Sequence, residues 1–206
     1  MLSRLVNQAH SLGPDAKVLV LGGGYSGRCF ARLLNTLGTT VISTRRHPET
    51  DSSDLTFDST TGVLPSFGDL EGISHVLCTI PPSQDGQDPA LECLGALLKT
   101  ISPVWVGYLS TTGVYGDRQG NWVSESDAAS PGQDRSRRRL ECEQAWLNSG
   151  LPVQILRLPG IYGPGRSVLD ALKSGRSRCI NKQHQVFCRI HVEDIAGACL
   201  HLIHKA

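Results

Sequence analysis

The segment Lys17–Leu21 reads KVLVL and runs straight into Gly22-Gly23-Gly24-Tyr25-Ser26-Gly27. A short run without a polar face predicts a strand buried on both sides, as in a parallel sheet. Beyond the glycines, Cys29, Phe30, Leu33, Leu34 and Leu37 recur at helical spacing, and Gly38 stops the run. A GxGxxG pattern lodged between a strand and a helix is far more restrictive than the pattern alone. Gly22 permits a tight turn, Gly24 lets a pyrophosphate approach the backbone, and Gly27 lets helix and strand pack closely. Tyr25 and Ser26 complete the turn at the helix N-terminus, where unpaired N–H groups and the helix dipole favour an anion. These residues predict a dinucleotide site.

The rhythm continues along the chain. Apolar, β-branched or strand-like runs are predicted at 39–43, 55–57, 75–80, 104–109 and 153–158. Helical patterns fall at 89–100, at 140–147 (continuing a helix from near Asp134) and at 191–204. Strands alternating with helices predict an α/β, Rossmann-type, doubly wound parallel sheet with helices on both faces. A length of 206 residues fits one such domain, expected over 16–206, with residues 1–15 as an N-terminal extension ending at Gly13-Pro14.

The formal net charge of +1 gives no general attraction to nucleic acid or an anionic membrane. No apolar run is long enough to span a bilayer. Cys29, Cys78, Cys93, Cys142, Cys179, Cys188 and Cys199 form no CxxC pair. Their odd number and mostly apolar neighbours predict buried free thiols in a reducing, cytoplasmic setting. No Cys/His cluster has metal-ligand spacing, no GxSxG elbow occurs, and Arg28 stands where a phosphate-binding GK[ST] element would need other residues. No metal is expected.

A NAD site usually carries a carboxylate about 20 positions after the glycines, at the end of the second strand. Here that place reads Ser43-Thr44-Arg45-Arg46. Arginine suits a 2′-phosphate, so NADP is expected over NAD, with Arg45 and Arg46 as its partners.

Five segments in order, GGGYSG, CTIPP at 78–82, LSTTGVYG at 109–116, LRLPGIYGPG at 156–165 and RIHVEDIA at 189–196, resemble the extended short-chain dehydrogenases/reductases, the NAD-dependent epimerase/dehydratase proteins. The likeness is greatest to an atypical nucleoside-diphosphate-sugar epimerase-like subgroup. The resemblance implies further cofactor contacts at Asp58, Thr79, Pro81 and Pro159, and a hydroxyl at Thr111 beside the nicotinamide. It also implies a tyrosine acid/base and a lysine at i and i+4 of one helix, followed by a glutamate. Counting from Pro131, those places hold Arg135, Arg139 and Glu143. Arginine does not exchange a proton as a phenol does, whereas Arg139 retains the charge for ribose binding. Tyr115 has a better case for acid/base work than Tyr162, with Asp117 and Glu125 on the same connection as carboxylate alternatives, and His191 is expected to be a cap or packing residue rather than a catalyst.

The resemblance also implies a longer C-terminal part, so a truncated, rudimentary substrate lobe and an open sheet edge are expected, with either self-association through that edge or only modest stability. The function implied is an NAD(P)-binding oxidoreductase or epimerase acting on a small polar or nucleotide-sugar substrate. A non-catalytic dinucleotide-binding regulatory or interaction module is the alternative.

Overall fold

The computed structural model describes residues 11–49, 52, 54–176 and 186–205. Six parallel strands form the main sheet: β1 (Lys17–Leu21), β2 (Thr40–Arg45), β3 (Leu55–Thr56), β4 (His75–Cys78), β5 (Trp105–Thr111) and β6 (Val153–Leu158), in the order β3-β2-β1-β4-β5-β6. Val18 to Leu21 are fully buried, as a central strand covered on both faces requires. Leu19 stands in register with Ile42 on one side and Val76 on the other.

Helices cover both faces. α1 (Tyr25–Thr36) and α6 (Val192–Ile203) pack on one, where Phe30, Leu33, Leu34, Ile195 and Cys199 meet Val18, Val20 and Leu77. α2 (Phe67–Leu70), α3 (Pro89–Ile101) and α4 (Asp134–Leu147) pack on the other, where Leu94, Leu98 and Trp146 meet Leu19, Leu21, Val106 and Tyr108. The doubly wound α/β fold expected from the sequence is the fold observed.

Local chemistry sets the ends of these helices. Asp88 caps α3 by accepting the Leu91 N–H, and Pro89 sits in the first turn, where its missing N–H costs nothing. His191 caps α6 through Nδ1, which accepts the Glu193 N–H at 3.3 Å, as the sequence led us to expect.

Four strands and α-helices were not anticipated, the single-turn α2 among them. β7 (Gly160–Tyr162) and β8 (Arg189–His191) pair in parallel as a separate small sheet, and α5 (Val168–Lys173) lies between them in sequence. α5 buries none of its residues, and its Val168, Leu169 and Leu172 are exposed. At the end of the main sheet, β6 pairs with β5, and among the described residues no other strand of that sheet flanks it.

The chain order reverses between β1 and β4, which are adjacent although β2 and β3 lie between them in sequence. Crevices at such a switch point, outside the carboxyl ends of the strands, are where open α/β sheets bind ligands. Gly22 follows β1 and Thr79 follows β4, so both sit at that crevice.

Candidate dinucleotide site

Gly22 has φ +93°, and a Cβ there would lie 2.7 Å from Thr79 Oγ1. The turn is pinned from both flanks. Gly22 N–H donates to Thr44 Oγ1 at 3.0 Å, and Thr79 Oγ1 donates to the Gly22 carbonyl at 2.6 Å. Gly27 is equally confined, since its Cβ would lie 2.3 Å from the Gly22 carbonyl oxygen. Gly24 differs: nothing stands within 4 Å of the Cβ it lacks. It is the N-cap of α1, with no side-chain cap and no acidic residue in the following turn. Two glycines therefore serve the packing of the protein, and the third opens onto space before a helix N-terminus that favours an anion. A bulkier residue at Gly24 would fill this cradle, which fits a pyrophosphate.

Tyr25 reaches across the site entrance. Its hydroxyl donates to the Pro164 carbonyl at 3.1 Å, and the Arg166 guanidinium lies 5.5 Å from its ring centroid. Burial raises the Tyr25 phenol above its ordinary pKa, with Arg166 opposing. Ser26 is half-buried in the same turn.

At the end of β2, Arg45 and Arg46 diverge. Arg45 is three-quarters buried, its Nε against the Asp54 carboxylate and its Nη1 3.5 Å from Glu49. The Arg46 side chain is 66% exposed, with Nε 3.9 Å from Asp58. The Asp58 carboxylate accepts the Thr60 hydroxyl (2.6 Å) and N–H (3.0 Å), and these bonds lower its pKa to about 2. Pro81 is exposed past the end of β4, and Pro159 follows β6 half-buried.

The segment after β5 meets α4. Thr111 Oγ1 accepts the Gly113 N–H at 3.1 Å, capping a 3-10 turn (Thr112–Tyr115). Arg139 Nη1 donates to the Leu109 carbonyl (3.1 Å) and the Tyr108 hydroxyl (3.2 Å). Arg135 is exposed in the first turn and makes no hydrogen bond or ion pair among the described residues. The two arginines thus share a helix but not a neighbourhood. Tyr115 is 5% exposed, with the Arg157 guanidinium 4.8 Å from its ring centroid.

Several residues organise the site through long-range bonds that no local sequence signal showed. Glu143 accepts the Ser110 hydroxyl at 2.5 Å and binds Arg157 through Nε and Nη2, the latter at 2.7 Å. These bonds hold the Arg157 guanidinium still more firmly protonated. The neighbouring row of α4 grips the loop between β4 and α3. Arg138 donates to the Gln84 carbonyl, Cys142 to the Gly86 carbonyl (3.6 Å), and Trp146 Nε1 to Asp88 (2.9 Å). Steps of four on the helix meet steps of two along this loop, so the segment carrying Pro81 is fastened to α4. Ser136 is also buried, and a Cβ on Gly113 would lie 2.8 Å from its Oγ.

Among the described residues, no group of three or more His, Cys, Asp or Glu side chains is placed to hold a metal ion, and no helix is long and apolar enough to cross a membrane. Of the cysteines, 29, 78, 142 and 199 are buried, Cys93 is half-buried and Cys188 is exposed, all as free thiols. The exposed Cys188 corrects the expectation of buried thiols throughout; its neighbours Val186 and Phe187 are themselves exposed, so apolar company did not mean burial. Cys179 lies outside the described residues, as do residues 1–10 of the expected N-terminal extension.

This fold, with its glycine turn at the switch point, is that of the Rossmann class. No protein-family model matches the chain. A functionally unknown conserved protein from Silicibacter pomeroyi is 39% identical, with a TM-score of 0.83 over 92% of this chain and 68% of that one. A putative NAD-dependent epimerase/dehydratase from Methylobacillus flagellatus is 26% identical, with a TM-score of 0.70 over 92% and 70%. The uncharacterized protein y4nG of Sinorhizobium fredii is 25% identical over 88% of this chain, and the match spans 52% of its length. These likenesses agree with the resemblance to the NAD-dependent epimerase/dehydratase proteins that the sequence carries.

Proposed function

We propose that residues 16–206 form one domain that binds a nicotinamide dinucleotide across the switch point, NADP in preference to NAD. The carrying observation is the contrast between the confined Gly22 and Gly27 and the open Gly24. Gly24, Tyr25 and Ser26 would receive the pyrophosphate at the start of α1, with Asp58, Thr79, Pro81 and Pro159 around the rest of the cofactor. Arg45 and Arg46 at the end of β2 support the NADP preference.

The bound dinucleotide would supply hydride chemistry, and the protein would supply orientation and charge. Thr111 keeps its O–H free to donate while its oxygen caps the turn. It would orient an oxygen of a small polar or nucleotide-sugar substrate. Arg139 stands where the family resemblance implies the ribose-binding lysine, and its charge lies next to the end of β5. On this reading the protein is an epimerase- or reductase-like enzyme whose usual tyrosine and lysine are replaced by Arg135 and Arg139. The free thiols support a cytoplasmic setting. The one-sided pairing of β6 supports homo-oligomer formation through that edge.

One observation favours a second reading, a non-catalytic dinucleotide-binding module. Arg135 is exposed, and Tyr115 is buried under Arg157, so no phenol stands free at the end of β5. Calorimetric titration with NAD, NADP and their reduced forms, followed by a hydride-transfer screen over nucleotide sugars, aldehydes and ketones, tests both. Binding with turnover supports the enzyme, and binding without turnover supports the module. Absence of binding by all four forms would sink the dinucleotide reading.

A further inference from the structure

α4 opens without a side-chain cap. Gln133 stands at its N-cap and makes no capping bond, and the exposed Arg135 is unpaired among the described residues. The Ser136 and Arg137 N–H groups both donate to the Gln133 carbonyl at 2.9 Å, so those of Asp134 and Arg135 have no helical partner. Such an end favours an anion but does not by itself make a site.

In the same first turn, Ser136 is only 5% exposed, yet its hydroxyl makes no hydrogen bond among the described residues. Buried hydroxyls ordinarily have a partner. Ser136 Oγ lies 2.8 Å from the place a Gly113 Cβ would take, and Thr111 Oγ1 lies 3.4 Å from that same place. The two hydroxyls therefore converge over Gly113, where the missing side chain leaves room between them. Thr111 Oγ1 already accepts the Gly113 N–H, so its O–H is left to donate, as is that of Ser136.

The neighbouring charge is positive. Arg135 precedes Ser136, and Arg139 follows one turn on, with Nη1 at the Leu109 carbonyl. Glu143, a further turn along, is taken by Ser110 and Arg157, and Asp134 is paired with Arg137 at 3.1 Å.

We propose that Thr111 and Ser136 form a carboxylate subsite. Each hydroxyl donates to one oxygen of a ligand carboxylate, and Arg135 and the uncapped end of α4 supply the favourable charge. The inference rests on the reading of Thr111 as a substrate-orienting residue and deepens it. Ser136 is a further binding residue, and the substrate is an acid, either a small carboxylic acid or a sugar acid. A planar carboxylate presents two oxygens side by side to two donors, and each bond is charge-assisted. A neutral amide or hydroxymethyl group gains only ordinary hydrogen bonds at the same place.

The test follows the amide NMR resonances of Gly113, Arg135 and Ser136 in the full chain at constant ionic strength, with and without NADP. Acetate and glucuronate are the acid probes, acetamide and glucose their neutral counterparts, and inorganic phosphate the competing anion. Saturable shifts at these residues are expected with an acid and not with its neutral counterpart. Tighter binding of acetate indicates a small acid, and tighter binding of glucuronate a sugar acid. S136A is expected to raise the Kd of the acid roughly tenfold or more. Its Tm should stay within about 2 °C of wild type, because the hydroxyl removed has no protein partner. T111S, which keeps its hydroxyl, should retain the affinity. A clear fall in Tm in S136A would show that the hydroxyl serves the fold and would overturn the assignment. Undiminished acid binding by S136A, equal shifts with neutral probes, tighter binding of phosphate, or no saturable shift with either acid would each overturn the subsite. The dinucleotide reading fails separately, if NADP moves no resonance at Gly24 or Ser26. Acid binding that is lost in S136A would still leave the carboxylate subsite standing.

Discussion

Arg157 on β6 grips Glu143 on α4 through Nε and Nη2, and the Glu143 side chain is only 1% exposed. A carboxylate so deeply placed depends on its partners, because unpaired charge in the interior is costly. Replacing Glu143 by Ala leaves Arg157 unpaired and the Ser110 hydroxyl without its acceptor. The Arg157 side chain keeps 25% exposure, so water compensates in part. The expected loss is about 3 kcal/mol, the low end for breaking a buried pair. In a domain of this size that is a fall in Tm of roughly 6–12 °C, read by calorimetry. A change under about 0.5 kcal/mol, the scale of a neutral surface substitution, would contradict the buried network.

The two arginines of α4 should behave differently. Arg139→Ala removes a guanidinium bonded to the Leu109 carbonyl and the Tyr108 hydroxyl, so it is expected to cost about 1–3 kcal/mol and to weaken dinucleotide binding. Arg135→Ala, at an exposed first-turn position, should stay within about 0.5 kcal/mol and leave affinity unchanged. Denaturant titration and calorimetry of the two variants check this ordering. The reverse ordering would show that Arg135, not Arg139, faces the cofactor.

Asp58 predicts a response to acid. Its pKa is depressed to about 2 by the Thr60 hydroxyl first and the Thr60 N–H second. A depressed carboxylate pKa contributes stability that is fully present above its unfolded value, about 3.9, and is lost as pH falls through the folded value. Asp58 should therefore stay ionised at pH 3, where an ordinary aspartate is mostly protonated. Thr60→Val should move its pKa upward. Carbon-detected NMR titration of the Asp58 carboxyl measures both. A wild-type value near 4 would contradict the bonds to Thr60.

Thiol reactivity follows burial. Burial pushes Cys142 up to about 11 and Cys199 up to about 12, so neither supplies much thiolate at neutral pH. Cys188 is exposed. In a timed reaction with an aromatic disulfide at pH 8, Cys188→Ser should remove one equivalent from the fast phase, and Cys199→Ser should remove none. Loss of fast reactivity in Cys199→Ser would mean that α6 opens readily from the sheet.

Much of this arrangement was legible in the chain itself. KVLVL and the glycines announced β1, the turn and α1 because strand period, helix period and turn residues agree there. The long-range contacts were not legible. Tyr25 meets Pro164, Glu143 meets Arg157, and Asp54 meets Arg45 only after crossovers bring separate strand ends together. Glu143 marked the helix register in the sequence, but nothing local to it signalled a buried acceptor for two partners. The end of β2 read as having no carboxylate, because Asp54, nine residues on and just before β3, comes to Arg45 only in the fold. β7 and β8, with three residues each, are too short to show a period.

The most direct test of the account is calorimetric titration of NADP into the wild-type chain and into Gly24→Val. The position has open space for the valine side chain, so the variant should fold, with its circular dichroism and Tm close to wild type. That side chain would occupy the space into which the pyrophosphate must come. The account predicts measurable NADP binding by the wild type and a loss of at least about a hundredfold, close to 2.7 kcal/mol, in the variant. A folded Gly24→Val protein that binds NADP as tightly as the wild type would contradict the placement of the site.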